Sequence, residues 1–200
     1  YTILFKNHGA EAGAPIPHAH SQIIAVPVVP PMATTEYSAC REYFDRKERC
    51  LMCDLLLQET EEKTRIIRDD GNFVVYAPYA SRYPFELSLV PRKHGHDFAL
   101  LSDTDIEHFG EALKDTLMRL RRVLRDPPYN FVLHNSPPMH LRPGKPGQWS
   151  SLPHDFHWHL ELIPRLTKTS GFEWGSGLYM NTVPPEDAAR FLREADLSTL

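Results

Sequence analysis

The feature of this sequence that most constrains its fold is a strand, loop and strand unit that occurs twice. The first copy is "ILFKNH", a loop and "HAHSQIIAVP"; the second is "NFVLHN", a longer loop and "HWHLELIP". In each copy an apolar run ends in His or Asn, and the returning run opens with His-x-His. Runs rich in Ile, Val, Leu and Phe are typical of β-strands. Hairpin-like pairs of such runs favour an antiparallel sheet.

The second copy of this unit is the fuller one. Ahead of it stand "FVVYAPYASRYPFELSLVPRKHGH" and a long helical pattern, so residues 73–163 form a complete strand, strand, helix, strand, strand unit. The first copy shows only its last hairpin, and the chain opens without methionine. We therefore expect residues 1–33 to be the end of a first half whose upstream part is absent. Residues 34–200 would form a complete second half.

The remaining periodicity predicts the secondary structure around these hairpins. Strands are expected at about residues 2–6, 22–28, 73–77, 85–90, 130–134 and 157–163. Apolar residues at helical spacing predict a helix from Asp103 to Leu124 behind a Ser102 cap. A second helix is predicted at "PPEDAARFLREA", where proline enters the first turn. The expected fold class is α+β, with duplicated halves in one antiparallel sheet and helices packed on one face.

Composition narrows the classes of partner. The net charge is -4 with a pI near 6.3, and no long Lys or Arg block occurs, so we expect neither nucleic acid nor a membrane surface as a partner. The longest apolar stretch, "IIAVPVVPPM", is short and interrupted by prolines, which argues against a membrane span. Three cysteines, two of them in one Cys-x-x-Cys, indicate metal or redox use rather than a disulfide framework. A cytoplasmic protein is the resulting prediction.

Three polar residues alternate where the first returning strand begins: His18, His20 and Gln22. Side chains two positions apart on a strand point to the same face. The three residues could therefore line one wall of a pocket. A neutral imidazole is a competent nucleophile near pH 7, which makes this segment a candidate catalytic site.

These residues stand within a longer resemblance to a known family. The stretch "NHGAEAGAPIPHAHSQ" resembles the active-site segment of galactose-1-phosphate uridylyltransferases and related nucleotide-sugar phosphorylases, which are members of the histidine-triad superfamily. The likeness continues in order through "RCLMCDL", "YPFELSLVPRKH", "FHWHLELIPRL" and "GFEWGSGLYMNTVPPEDAARFLRE". It matches the end of the family's first half and all of its second half. Ala19 stands where the transferases usually have proline, and Ala14 where some members have cysteine, so the resemblance leaves the exact substrate open.

The resemblance implies a nucleotidyltransferase that works through a covalent intermediate. His20 would attack the α-phosphorus of a nucleotide sugar, expel sugar 1-phosphate and carry the nucleotide as a phosphoramidate. Phosphate or another sugar 1-phosphate would then accept the nucleotide. Gln22 would donate a hydrogen bond to a non-bridging phosphate oxygen in the transition state.

Further residues are implied to bind substrate. Asn7 and the backbone around Gly13 would approach the phosphates closely, because glycine and alanine leave room there. Phe172 and Glu173 would lie near the ligand, with Asn181 as a further candidate. In the family this last segment often serves the site of the neighbouring subunit, which implies a homodimer.

The Cys-x-x-Cys formed by Cys50 and Cys53 could clamp one ion with two thiolates, and a zinc site would need two more ligands. The candidates are His94 and His157, positions that phosphorylase-type relatives use. His134 and His159 are the alternates, because uridylyltransferases bind a metal nearby through equivalent histidines. The resemblance also implies that His18 ligates zinc with partners that this chain lacks. A closed four-ligand shell would make the Cys50 site structural rather than catalytic.

Two other functions remain open from the sequence. A histidine-triad hydrolase or phosphorylase of dinucleotides or nucleotide conjugates would have a third histidine where Gln22 stands. A noncatalytic, zinc-stabilised module that dimerises would use only the cysteine and histidine cluster. The sequence does not decide between uridine and adenine, nor between galactose 1-phosphate and phosphate as acceptor.

Overall fold

The computed structural model describes residues 1–16, 18–139 and 149–198. Its centre is a seven-stranded sheet with the order β2-β1-β6-β7-β5-β4-β3, and all adjacent strands run antiparallel. The strands are β1 (Thr2–His8), β2 (Gln22–Ala25), β3 (Ile66–Asp69), β4 (Phe73–Tyr76), β5 (Leu87–Pro91), β6 (Tyr129–His134) and β7 (His159–Pro164). The antiparallel sheet predicted from the repeated hairpins is confirmed, and β3 is a strand that the sequence patterns did not predict.

The two copies of the repeated unit lie side by side in this sheet. The first is the hairpin β1–β2, the second is the hairpin β6–β7, and β1 pairs with β6. Asn7 stands opposite Asn130 across that junction. The topology leaves β2 at one edge of the sheet and β7 in fourth place, at its centre.

Six helices accompany the sheet among the described residues: α1 (Pro31–Lys47), α2 (Leu51–Glu62), α3 (Asp103–Leu124), α4 (Leu152–Asp155), α5 (Gly171–Ser176) and α6 (Pro185–Arg193). The long helix α3 has the predicted bounds, and Ser102 caps it by accepting a hydrogen bond from the Asp105 amide. Helix α6 begins at Pro185, as its first-turn proline predicts. Within the described part of the chain no helix has the length and apolar character needed to span a membrane.

Helices cover both faces of the sheet. Alternate residues of β4 separate the two sides: Phe73 and Val75 belong to the main core with residues of α3 and α6, whereas Val74 and Tyr76 pack with Leu56 of α2. Thus α3 and α6 share one face, as expected, and α2 adds a layer on the other. The α+β fold class is confirmed with this additional layer.

Candidate functional site

The His18 to Gln22 segment lies at the edge of the sheet, where the loop after β1 turns back into β2. Gln22 is the first residue of β2 and pairs with Phe5. His18 and His20 precede the strand, so the strand geometry expected for all three residues holds only for Gln22. The turn depends on Gly9, which has a φ of 81° and whose Cβ, if present, would lie 2.9 Å from the Pro128 side chain.

Two hydrogen bonds fix the position of His20. Its ring Nδ1 lies 2.8 Å from the carbonyl oxygen of His18, and the Lys6 ammonium donates to the His20 carbonyl at 2.9 Å. Because a carbonyl oxygen only accepts hydrogen bonds, Nδ1 carries the ring proton of the neutral imidazole. Nε2 therefore keeps its lone pair. His20 is half-buried and His18 is exposed, so solvent can reach this segment.

Asn7 is held beside the turn by a residue that the sequence did not single out. Asn130 donates to the Asn7 side-chain oxygen at 2.7 Å and to the Ala12 carbonyl at 2.9 Å. The amide of Asn7 in turn reaches the Gly13 carbonyl at 3.5 Å. A cleft of about 600 Å³ borders this turn, and its lining includes Lys6, Asn7 and His18. The register of β1 and β6, rather than any motif, places Asn130 here.

The structure brings Cys50, Cys53, His94 and His157 together from three parts of the chain. Cys50 precedes α2, Cys53 lies in its first turn, His94 follows β5, and His157 precedes β7. One donor atom from each lies within 4.8 Å of the others. The Nδ1 atoms of His94 and His157 lie 3.4 Å and 3.5 Å from the Cys53 sulfur. Two sulfur and two imidazole donors are a set that suits tetrahedral zinc.

The surroundings prepare these four groups to bind a metal. A hydrogen bond from Cys53 lowers the pKa of the Cys50 thiol, and bonds from His157 and His94 add to this effect against the opposing effect of burial. A thiolate is the form that ligates metals. The Nε2 atom of His94 contacts the Pro153 carbonyl at 3.0 Å, which leaves Nδ1 free for the cluster. The Nε2 atom of His157 is buried and has no partner among the described residues.

The alternates His134 and His159 do not join this cluster. They form a second group with Glu36 of α1, whose ligand atoms also lie within 4.8 Å of one another. The His134 Nδ1 atom lies 2.8 Å from the Glu36 carboxylate, and the two imidazole rings stack with centroids 4.6 Å apart. On the other side, Glu161 lies 3.6 Å from the His134 Nε2 atom and accepts a short hydrogen bond from Arg82.

The second group is held together by charge. Burial opposes protonation of His134, but hydrogen bonds to Glu161 and Glu36 outweigh it and raise its pKa to about 10. His134 is therefore an imidazolium between two carboxylates at neutral pH. No sequence motif pointed to Glu36. Glu161, however, stands in "HWHLE" where Gln22 stands in "HAHSQ", so comparing the two copies could have found it.

The expected substrate residues near the C-terminal end lie on α5 and the segment after it. Phe172 is half exposed. The Glu173 carboxylate accepts hydrogen bonds from the Ser170 amide at 2.9 Å and hydroxyl at 2.7 Å, so it serves as a helix cap here. Asn181 donates to the Ser81 carbonyl at 3.3 Å. Within the described residues, no hydrogen bond or ring contact joins these three side chains to the His20 turn.

Comparison with known proteins identifies relatives of this chain. An ADP-glucose phosphorylase of Arabidopsis thaliana is 39% identical over 198 residues, which are 99% of this chain and 53% of that protein. A galactose-1-phosphate uridylyltransferase of Thermotoga maritima is 28% identical over 204 residues, covering 98% of this chain and 61% of that protein. The chain thus spans about half the length of the curated relatives it matches. No protein-family model matches it.

Solved structures give the same answer. The crystal structure of an ADP-glucose phosphorylase from Arabidopsis thaliana with bound ADP-glucose superimposes with a TM-score of 0.87 at 38% identity, over 99% of this chain and 59% of that one. A uridylyltransferase structure superimposes with a TM-score of 0.83 at 30% identity, over 96% of this chain and 59% of that one.

The fold and the relatives together define the class: an antiparallel α+β chain related to nucleotidyltransferases. More particularly, the chain is a homologue of ADP-glucose phosphorylase and of galactose-1-phosphate uridylyltransferases. The resemblance drawn from the sequence is confirmed.

Proposed function

We propose that this chain supplies the nucleophile and the second half of an enzyme that transfers a nucleoside monophosphate between a nucleotide sugar and a phosphate or sugar 1-phosphate. The observation that carries the proposal is the contact between His20 Nδ1 and the His18 carbonyl, because it leaves the Nε2 lone pair available. In this reading residues 1–33 are the end of a first half and residues 34–200 are the second.

The chemistry follows from that tautomer. The Nε2 atom of His20 attacks the α-phosphorus, a nitrogen–phosphorus bond forms, and the bond from the α-phosphorus to the bridging oxygen breaks. The bridging oxygen and its electron pair leave with sugar 1-phosphate. A phosphate oxygen of the acceptor then attacks the same phosphorus and releases the Nε2 atom, so the nucleotide changes partner without reaching water. The Gln22 amide donates to a non-bridging oxygen while charge redistributes on it.

The substrate class is proposed from the relatives and from the turn. The curated relatives are named for ADP-glucose and for galactose 1-phosphate, so both an adenine and a uridine nucleotide belong in the test. Asn7, held by Asn130, and the backbone at Gly13 would face the phosphates. Phe172, Glu173 and Asn181 would contribute to the sugar site of a second copy, which makes a homodimer the proposed assembly. Both cap bonds go to Oε2 of Glu173, and its Oε1 atom would accept the hydroxyl.

We further propose that Cys50, Cys53, His94 and His157 hold one zinc ion. When bound, zinc would cross-link α2, the end of β5 and the start of β7 through four ligands. A closed four-ligand shell leaves no open position for catalysis. The lowered pKa of the Cys50 thiol and the Nδ1 atoms of the two histidines, which both face the Cys53 sulfur, support this assignment. The proposal for His18 is separate: its metal partners would lie outside this chain.

The decisive experiment uses the full-length protein and nucleotide sugars labelled in the α-phosphate, with ADP-glucose and UDP-glucose in parallel. Wild type should form an acid-labile label that maps to His20 by peptide analysis, with an equimolar burst of sugar 1-phosphate. The variant His20→Ala should form no label and show no turnover. His108→Ala is the matched control, because His108 lies on α3 and does not line the cleft beside the His20 turn, and it should keep the label. Label on another residue, or turnover in His20→Ala, would contradict the proposal.

The same assay separates the hydrolase. If water accepts the nucleotide, free nucleoside monophosphate accumulates without phosphate in the buffer, and added phosphate does not change the product. Gln22 in place of a third histidine favours transfer.

A further inference from the structure

The last residue of α4, Asp155, is a buried carboxylate. Its side chain is fully buried, and neither of its oxygens has a hydrogen-bond partner in the part of the chain that the structure describes. An unpaired ionised carboxylate in the interior of a protein costs several kcal/mol, so buried carboxylates are normally matched with a donor. A buried Asp155 carboxylate therefore requires a hydrogen-bond donor that the metal-free structure does not supply among the described residues.

The missing donor has a candidate two residues along the chain. In the cysteine and histidine cluster, the Nε2 atom of His157 is buried and has no hydrogen-bond partner among the described residues. The Nε2 atom of His94, by contrast, contacts the Pro153 carbonyl. Once Nδ1 of His157 binds a metal, its Nε2 must carry the proton and needs an acceptor. Asp155 ends α4, and the Pro153 carbonyl of that same helix contacts Nε2 of His94 at 3.0 Å, so α4 lies against the cluster.

We infer that Asp155 is a positioning residue for the proposed metal centre: its carboxylate accepts the Nε2 proton of His157, directly or through one water. The inference rests on the zinc site proposed above. Asp155 is not itself a ligand, because its oxygens are not in the set of donor atoms that lie within 4.8 Å of one another. A carboxylate behind a metal-bound histidine fixes the orientation of the ring and makes its nitrogen a stronger donor to the metal.

A positioning role and a purely structural role predict different effects on two quantities, the stability of the metal-free protein and its affinity for zinc. A carboxylate that only stabilised the fold would, on removal, lower the stability of the metal-free protein. A carboxylate that waits for the metal is unmatched without it. Replacing it with an apolar side chain of similar size should then leave the metal-free protein as stable as before or more stable, while zinc binds more weakly.

The experiment compares full-length wild type with Asp155→Leu, which removes the acceptor, and Asp155→Asn, which keeps one acceptor oxygen. Zinc dissociation constants are measured by competition with a chromogenic chelator, and melting temperatures with and without zinc. Asp155→Leu should weaken zinc binding about 10- to 100-fold, the usual effect of removing a group that holds a metal ligand in place, without lowering the melting temperature of the metal-free protein. Asp155→Asn should recover part of the loss. Asp103→Leu, at an exposed site on α3, should change zinc binding in neither direction.

The outcomes distinguish this inference from the proposals it depends on. If wild type binds no zinc at the cluster, the metal proposal fails and this inference fails with it, while labelling of His20 remains a separate measurement. If wild type binds zinc and Asp155→Leu binds it equally well, the positioning role alone is overturned. A lower melting temperature of metal-free Asp155→Leu with unchanged zinc affinity in Asp155→Asn would likewise overturn it.

Discussion

The same His-x-His pattern stands at the start of β2 and of β7, but the surroundings of the two strands differ. In the first copy His18 is exposed, His20 is half-buried, and β2 lies at the edge of the sheet. In the second copy His157 and His159 are only 1% and 8% exposed, and β7 lies at the sheet centre. The same arrangement of imidazoles therefore faces solvent at the edge of the sheet and protein at its centre.

The difference determines what the histidines can do. At the edge, an imidazole with one nitrogen committed to a carbonyl keeps the other for a substrate. In the centre, polar side chains must be matched within the protein because water is absent. The Nδ1 atom of His157 accordingly contacts the Cys53 sulfur, and His159 lies against Glu36 and His134. The position of the strand, more than the motif, separates a proposed catalytic site from proposed structural ones.

The residue that closes each copy follows the same rule. Gln22 is neutral and lies in the edge strand β2, where its amide is proposed to donate a hydrogen bond to a substrate phosphate. Glu161 is a carboxylate between two cationic groups, Arg82 and His134. Substitutions at Gln22 and at Glu161 should therefore have different effects, and these effects test the comparison.

The largest effect is expected at the cysteine cluster. In the double variant Cys50→Ser, Cys53→Ser the zinc content should fall to background, and the stability should fall by several kcal/mol, since metal binding free energy is folding free energy. Metal analysis and thermal unfolding of the full-length protein measure both quantities. Cys40→Ser is the matched control, because Cys40 is buried outside the cluster and should leave zinc content unchanged. Full zinc occupancy in the double variant would show that the metal lies elsewhere.

The next effect is expected at Glu161. Glu161→Gln removes the carboxylate that His134 and Arg82 share. His134 keeps Glu36 and Arg82 keeps Glu86, so the loss should destabilise the protein by about 1–3 kcal/mol. Denaturant unfolding at pH 7 measures this. The exposed carboxylate Glu42 provides the control: Glu42→Gln should stay within about 0.5 kcal/mol of wild type.

The pH dependence sharpens the same prediction. The folded pKa of His134 is raised to about 10, above its ordinary value of 6.5. Its contribution to stability is therefore complete below about pH 6.5 and is lost as the pH rises towards 10. Stability of the wild type should decline over this window, and Glu161→Gln should show a shallower decline. Equal slopes for the two proteins would contradict the ion-pair arrangement.

Sequence patterns predicted the parts of this fold whose apolar residues are regularly spaced. The hairpins and helix α3 have such spacing, and α3 also carries a Ser102 cap. Helices α1 and α2 escaped prediction because their apolar residues are not concentrated on one face, and the two prolines before α1 are typical of a connector as well as of a helix start. Regularity along the chain, not stability of the element, limited what could be predicted.

The candidate site divides in the same way. The Cys-x-x-Cys spacing identifies Cys50 and Cys53 in the sequence, and the structure places His94 and His157 beside them. Glu36, Asn130 and Asp155 carry no local signal, since each is a single polar residue within or beside an ordinary helix or strand. Their importance arises only when strand register or helix packing brings a distant partner to them, as it does between Asn130 and Asn7.

A smaller effect is expected at Gln22, in rate rather than in stability. Gln22→Ala removes one hydrogen bond to the transition state, so nucleotide transfer should slow by about 10²- to 10³-fold, the usual effect of losing one such donor. The labelled His20 adduct should still form, because the atom that bonds to phosphorus is untouched. Rapid-quench measurement of adduct formation tests this, and Ser21→Ala, at the neighbouring position, should remain near the wild-type rate. Failure of Gln22→Ala to form any adduct would mean that Gln22 does more than stabilise charge.

The smallest effect on stability is expected at His18, the counterpart of His157 in the first copy. Its exposed imidazole makes no hydrogen bond or ion pair with the described residues, so a chain of residues 1–200 with His18→Ala should unfold within about 0.5 kcal/mol of its parent. His157→Ala in the same chain should lose zinc and several kcal/mol, because it opens the cluster from inside the core. In the full-length protein His18→Ala should instead lower the metal content of the first half, where its proposed ligands lie. Equal unfolding of the two variants in the shorter chain would mean that strand position does not set the roles of the two histidines.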